Sequence, residues 1–265
     1  MLPTITILNK TITGYALMSI IGVFVAGIYA VIKIKKKKLD DNDMIILLLF
    51  AAIGVFIGSH LLYAIVNYKY FVEIIKNYNT ISLKDTMKLL EATFGGAVFY
   101  GGLIGGIGFG LIYAKKKKLK KDYLDVAAPT IPLFHGFARI GCFLGGCCFG
   151  IESKIGFIYT HSLVPAADHV RRFPVQLVEA LCDFILFFVL NKLLNKEKYK
   201  GKLIYIYLIS YAIIRFILEF LRGDDYRGFV GFLSTSQLIS LIVIITVIII
   251  LIINKKRSSN EKIRR

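Results

Sequence analysis

His135, Arg139 and Cys142 stand four and three residues apart, a spacing that puts them on one face of a helix, and Gly146 continues the series. Tyr211, Arg215, Glu219 and Arg222 repeat the pattern later in the chain, and Gln176, Glu179 and Asp183 form a third polar stripe. All three stripes interrupt segments otherwise apolar enough for a bilayer. An ionisable side chain there costs about 3 kcal/mol or more, so each must be paired, wetted or functional. A structural pair of Arg139 or Arg215 with Glu179 or Glu219 meets that demand. Three arginines together also offer planar donor forks suited to phosphate, which makes a phospholipid headgroup the natural ligand. His135 shares the face of Arg139 and is the candidate acid or base, with a hydrogen-bonded structural role as the alternative.

The elements that must carry these stripes follow from composition. The chain is 56% hydrophobic with a mean hydropathy of +0.67, far beyond an ordinary soluble domain. A hydrocarbon core ~30 Å thick takes ~20 apolar residues per helix. Seven stretches qualify, at roughly 12–32, 44–66, 93–113, 123–149, 174–194, 203–221 and 233–253. They are too long and too little alternating for barrel strands. The expected fold is therefore all-α: one integral membrane domain over 1–265 with seven transmembrane helices. The first run lacks a basic flank and a small-residue cleavage site, and is read as a retained helix.

Charge orients the helices. Of the 34 lysines and arginines, 22 fall at 33–43, 115–121, 192–202 and 254–265, which alternate with poorer connections. The positive-inside rule puts those four in the cytoplasm, with the N-terminus outside and the C-terminus cytoplasmic. The net charge of +17 is thus topological, and no aromatic-interleaved basic face points to nucleic acid. Residues 67–92 read as an amphipathic segment on the outer surface, and 151–173 as a small extracytoplasmic loop or head. With this topology the polar groups, including His60 and Tyr100, lie at mid-depth or in the outer leaflet. The glycines of GGAVFYGGLIGGIGFG permit either tight helix contact or close approach of backbone to a ligand.

Cys142, Cys147, Cys148 and Cys182 lack the CxxC pairs of structural zinc sites, and Cys182 is on another helix, so small apolar packing is expected and no metal or other cofactor. A disulfide near an oxidising face and a thiol-redox role are the other readings. His161 and His169 read as solvated loop residues.

Seven segments, in order, resemble the prolipoprotein diacylglyceryl transferase family. TGYALM (13–18), with Tyr15, is similar to its N-terminal tyrosine-glycine-leucine segment. FIGSHLLYAIVNY (56–68) resembles its GGRIGY segment, with His60 in place of the arginine. VFYGGLIGG (98–106) resembles its HGGL motif, with Tyr100 in place of the histidine. AAPTIPLFHGFARIGCFLGGCCFG (127–150) resembles its glycine-arginine and GNFxNxExxG signature, with Cys142, Gly145 and Cys147 in place of the asparagines and the glutamate. RRFPVQLVEA (171–180), YAIIRFILEFLRGDD (211–225) and TSQLIS (235–240) are similar to its HPSQLYE, YxxxRxxxEFxR and GQxLS elements.

The resemblance implies a seven-helix enzyme of the bacterial inner (cytoplasmic) membrane. Such an enzyme moves the diacylglyceryl group of phosphatidylglycerol onto the lipobox cysteine of a preprolipoprotein and releases glycerol phosphate. Its partners are then phosphatidylglycerol, the lipobox peptide and the bilayer. Arg139, Arg215, His135 and Tyr100 become the catalytic candidates. Headgroup binding and support fall to Arg139, Arg215, Glu219, Arg222, Gln176, Glu179, Tyr211, Tyr15, His60 and Cys142. The resemblance puts the thiol base at Tyr100, a poor base with a reference pKa of ~10, and His135 is the substitute. The alternatives are a transferase with the same lipid donor and another acceptor, or a non-catalytic lipid-binding or transport protein.

Overall fold

Apolar helical runs joined by short charged or capped turns give nine α-helices among the residues described by the computed structural model, namely 4–7, 10–77, 79–224 and 228–263. The helices are α1 (Gly14–Lys36), α2 (Asp41–Val66), α3 (Tyr68–Lys76), α4 (Leu83–Phe94), α5 (Phe99–Lys116), α6 (Lys121–Gly145), α7 (Val175–Leu193), α8 (Leu203–Leu218) and α9 (Thr235–Ile263). Three antiparallel strand pairs accompany them: β1 (Thr4–Ile7) with β2 (Lys10–Thr13), β3 (Glu152–Ile158) with β4 (Arg171–Arg172), and β5 (Phe229–Val230) with β6 (Leu233–Ser234).

Each of the seven expected runs coincides with a helix. By length and composition four helices can cross a membrane: α1, α2, α9 and α8 with its short extension to Leu221. The bent pair α4 and α5 makes a fifth if counted as one span. The remaining two, α6 and α7, are interrupted by more polar and charged residues, with Asp125, His135 and Arg139 on one and Glu179, Asp183 and Lys192 on the other.

The third run differs from the reading at 93–113. The chain breaks after Phe94 and resumes at Phe99, turning by 72°. Gly95 and Gly96 supply the room: a Cβ on the first would meet the Glu91 carbonyl, and one on the second the Tyr63 ring. The amphipathic segment at 67–92 becomes α3 and most of α4, the latter capped by Ser82, whose hydroxyl accepts from the Asp85 amide at 3.2 Å.

Two compact units emerge, Ile34–Tyr123 and Met1–Lys33 with Leu124–Arg265. In the Ile34–Tyr123 unit, α2 and α5 meet through glycines four apart on both helices. A Cβ on Gly54 or Gly105 would strike the other's carbonyl, as would one on Gly58 or Gly101. Small residues at that interval let two backbones touch where lipid supplies no hydrophobic driving force. The glycine-rich sequence is thus used for helix contact. Tyr113 donates to Asp43 at 3.0 Å and Lys37 pairs with Asp122 at 3.0 Å in the same unit.

In the other unit, Gly22 of α1 faces Phe134 and Phe137, and Gly136 of α6 faces Phe184. The carboxylate of Asp125, buried in α6, accepts from the Gly201 and Leu203 amides and so caps α8. At the start of α9 the Ser234 hydroxyl accepts from the Gln237 amide at 3.2 Å while Gln237 Oε1 accepts from the Ser234 amide at 3.0 Å. This reciprocal capping box gives the TSQLIS segment a structural use.

A candidate phosphate-handling site on three helix stripes

The three stripes face one another. Glu179 of α7, 1% exposed, is the hub. Its Oε2 lies 3.0 Å from Arg139 Nε and 3.9 Å from Arg215 Nη1, and its Oε1 accepts from the Tyr211 hydroxyl at 3.2 Å. Arg215 is held again from its own helix, with Nη2 2.6 Å from Glu219 Oε2, and donates to Ser236 on α9 at 3.1 Å. Both structural pairings foreseen for the arginines are therefore made, and around a shared carboxylate. One turn deeper along α6 and α7, His135 Nδ1 sits 2.8 Å from Asp183 Oδ2, and the Tyr211 ring meets the His135 ring edge-on at 5.3 Å. Tyr207 stacks on Tyr211 at 5.8 Å. Burial of every charged member makes the pairing obligatory, because an ion left alone there would cost several kcal/mol (about 3–5 on loss of one partner).

The turn after α6 closes one end. Gly146, at φ +71°, ends the helix; its amide donates to the Phe143 carbonyl and that of Cys147 to the Cys142 carbonyl. These are the two bonds of a Schellman motif, whose left-handed position suits glycine. Gln176 Nε2 donates to the Cys147 carbonyl at 2.8 Å and pairs with the Tyr159 hydroxyl, so this side chain holds the turn and the β3–β4 region rather than an arginine. Burial pushes the Tyr159 phenol up to about 12, which keeps it a neutral hydrogen-bonding group. Arg222 is chelated by Asp224, with Nε donating to Oδ1 at 2.8 Å and Nη2 to Oδ2. Backbone bonds from Gly223 to Phe149 and from Ile151 to Leu221 join this loop to the α6 turn.

Of the residues expected in the site, His135, Arg139, Cys142, Gln176, Glu179, Tyr211, Arg215, Glu219 and Arg222 belong to this one unit and, with their partners, make this network. Tyr15 is in the same unit, its Cα against Gly141 between Arg139 and Cys142 along α6. Tyr100 and His60 belong to the Ile34–Tyr123 unit. There Tyr100 is buried at the start of α5 with its ring against Phe99, and His60 Nδ1 lies 2.8 Å from the Phe94 carbonyl with the Phe56 ring tilted against its own at 4.7 Å. Sequence reasoning missed four members, one of them Tyr207. Asp224 was visible as the acid two residues after Arg222, Ser236 lay inside a quoted motif, and Tyr159 carried no signal beyond being aromatic in a polar loop.

The fold and the site define a membrane protein of apolar helices that encloses a buried arginine–carboxylate cluster. The family model described as prolipoprotein diacylglyceryl transferase matches residues 3–253, and the chain belongs to that family. It is 36% identical over 234 residues to the phosphatidylglycerol–prolipoprotein diacylglyceryl transferase of Clostridium tetani, covering 87% of this chain and 88% of that one. A second such transferase, from Clostridium perfringens, is 35% identical over 260 residues and covers 96% of both chains. The transferase of Geobacter sulfurreducens is 31% identical over 219 residues, with 80% and 78% covered.

Proposed function

We propose that this chain transfers the diacylglyceryl group of phosphatidylglycerol to the thiol of the lipobox cysteine in preprolipoproteins, at the outer face of a bacterial cytoplasmic membrane. In this reading seven helices span the bilayer, with the N-terminus outside, the C-terminus inside, 67–92 along the outer surface and 151–173 as the extracytoplasmic head. The observation that carries the proposal is the pair of buried guanidiniums, Arg139 and Arg215, sharing Glu179.

The reaction breaks the C–O bond between the diacylglyceryl carbon and the phosphate, forms a C–S bond to the cysteine, and releases glycerol phosphate. Charge grows on the phosphate oxygens as that bond breaks. Two arginines already fixed by carboxylates meet it without reorganising, which is the condition under which electrostatic stabilisation is largest. Arg222 with Asp224 lines the outer side. The thiol must lose its proton to attack. With Nδ1 of His135 directed to Asp183, Nε2 is the ring's basic nitrogen, and it is assigned as the acceptor of that proton. Tyr100, at the family's histidine position, is assigned to hydrogen bonding of substrate, and His60, Tyr15 and Cys142 to support of the headgroup region.

The test is direct: purified chain, labelled phosphatidylglycerol and a lipobox peptide, with the product read as thioether-linked peptide plus glycerol phosphate. Transfer supports the proposal. No product under conditions in which a relative's transferase turns over, or failure to rescue a strain lacking that enzyme, overturns it. The cysteines in place of the family's signature asparagine and glutamate favour, as a second reading, the same lipid donor with another acceptor. Release of glycerol phosphate with a different lipid-linked product would identify that case.

A further inference from the structure

The Schellman turn does more than end α6. In that motif the residue after the glycine packs its side chain back over the helix residue five positions earlier. Here those two residues are Cys147 and Cys142. Cys148, also in the left-handed region at φ +55°, brings a third thiol to the same place. The sulfurs of Cys142, Cys147 and Cys148 lie within 4.8 Å of one another, whereas Cys182 is not in the group. Three sulfurs around one ion at ~2.3 Å stand about 4 Å apart when trigonal, so the thiols need only small rotations to close on a metal.

Positive charge stands beside the thiols. Arg139 Nη1 is 3.9 Å from the Cys142 sulfur, and the guanidiniums of Arg139 and Arg222 act on Cys148. Cys142 is buried while Cys147 and Cys148 are half-buried, which leaves a route for an ion from outside. The lack of a CxxC pair had argued against a metal, but the folded turn replaces that spacing. A disulfide would use two of the sulfurs and leave the third, whereas a metal uses all three.

We infer that Cys142, Cys147 and Cys148 form a three-thiolate site for a soft closed-shell cation, of the Cu(I), Zn(II) or Cd(II) class, beside the buried arginines. This does not depend on the transfer reaction. Binding exchanges the thiol protons for the ion and releases them to solvent.

The experiment uses the full chain, reduced and held in detergent or nanodiscs under argon, titrated with Cd(II) alone. The ultraviolet sulfur-to-cadmium charge-transfer band should saturate at one equivalent per chain. Cys147→Ser and Cys148→Ala, checked for unchanged melting, should each weaken binding by more than the roughly 10–100-fold typical of losing an outer-shell partner. Cys182→Ser should bind like the parent. Absence of the band, an affinity unchanged in the double variant of Cys147 and Cys148, or dependence on Cys182 would overturn the inference. So would a disulfide among the three in protein isolated without reductant, which would assign the cluster to redox chemistry.

Discussion

Replacing Glu179 with glutamine removes one negative charge from the centre of the network and almost no volume. The amide still accepts from the Tyr211 hydroxyl, so the loss falls on the contacts at 3.0 Å to Arg139 and 3.9 Å to Arg215. Arg215 retains Glu219 and Ser236, but Arg139 has no second carboxylate among the contacts described for it. Breaking a buried pair by removing one partner costs about 3–5 kcal/mol, and the kept shape and hydrogen bond put Glu179→Gln near 3. For a chain of this length each kcal/mol moves the melting midpoint by roughly 2–4 °C, giving a fall of about 6–12 °C. The assay is thermal unfolding of parent and variant in matched micelles. Adding phosphatidylglycerol should recover part of the fall and phosphatidylethanolamine less, because an anionic headgroup replaces the missing charge and ligand binding stabilises the folded state. A midpoint within about 1 °C of the parent, with no selective lipid effect, would refute the reasoning.

Arg139→Ala and Arg215→Ala should each abolish transfer while leaving membrane insertion intact, measured by labelled-lipid turnover and membrane fractionation. Asp183→Asn should lower kcat, by up to the roughly 10²–10⁴-fold that a general base supplies, with little change in lipid binding. Gly58→Ala should cost about 1–3 kcal/mol, at the upper end because its Cβ meets the Gly101 backbone rather than a side chain that can move. Gly27→Ala in α1, with nothing within 4 Å of its Cβ, should be neutral or stabilise by up to about 1 kcal/mol; paired melting curves check both.

The stripes were legible because helical periodicity turns a spacing of three and four directly into a shared face. Apolar length likewise located all seven helical runs. What periodicity cannot carry is any feature made where helices stop. The bend at Gly95 and Gly96 interrupts a run that stays apolar throughout, so hydropathy continued across it. Tyr159 reaches Gln176 from β3's far end by a chain reversal that spacing does not encode, whereas Asp224 chelates Arg222 from only two residues away, in a loop that helical periodicity does not cover. The cysteine cluster was judged by intervals along the chain, whereas the left-handed turn at Gly146 brings the sulfurs together. The division into two units also left no mark in composition, and Tyr100 and His60 were grouped with the arginines on depth and on the family resemblance.

The glycine seam between α2 and α5 has a consequence at the level of the gene. All glycine codons share their first two bases, and every single-base change that alters the residue yields a side chain with at least a Cβ or a stop. At Gly54, Gly58, Gly101 and Gly105 each such Cβ would enter the opposite backbone. The seam therefore has no neighbouring sequence reachable by one mutation that keeps the two helices at their present distance. The exposed isoleucines and leucines of the same two helices can change to other apolar residues in one step. Drift is expected to run along the outside of this helix pair and to stop at its seam.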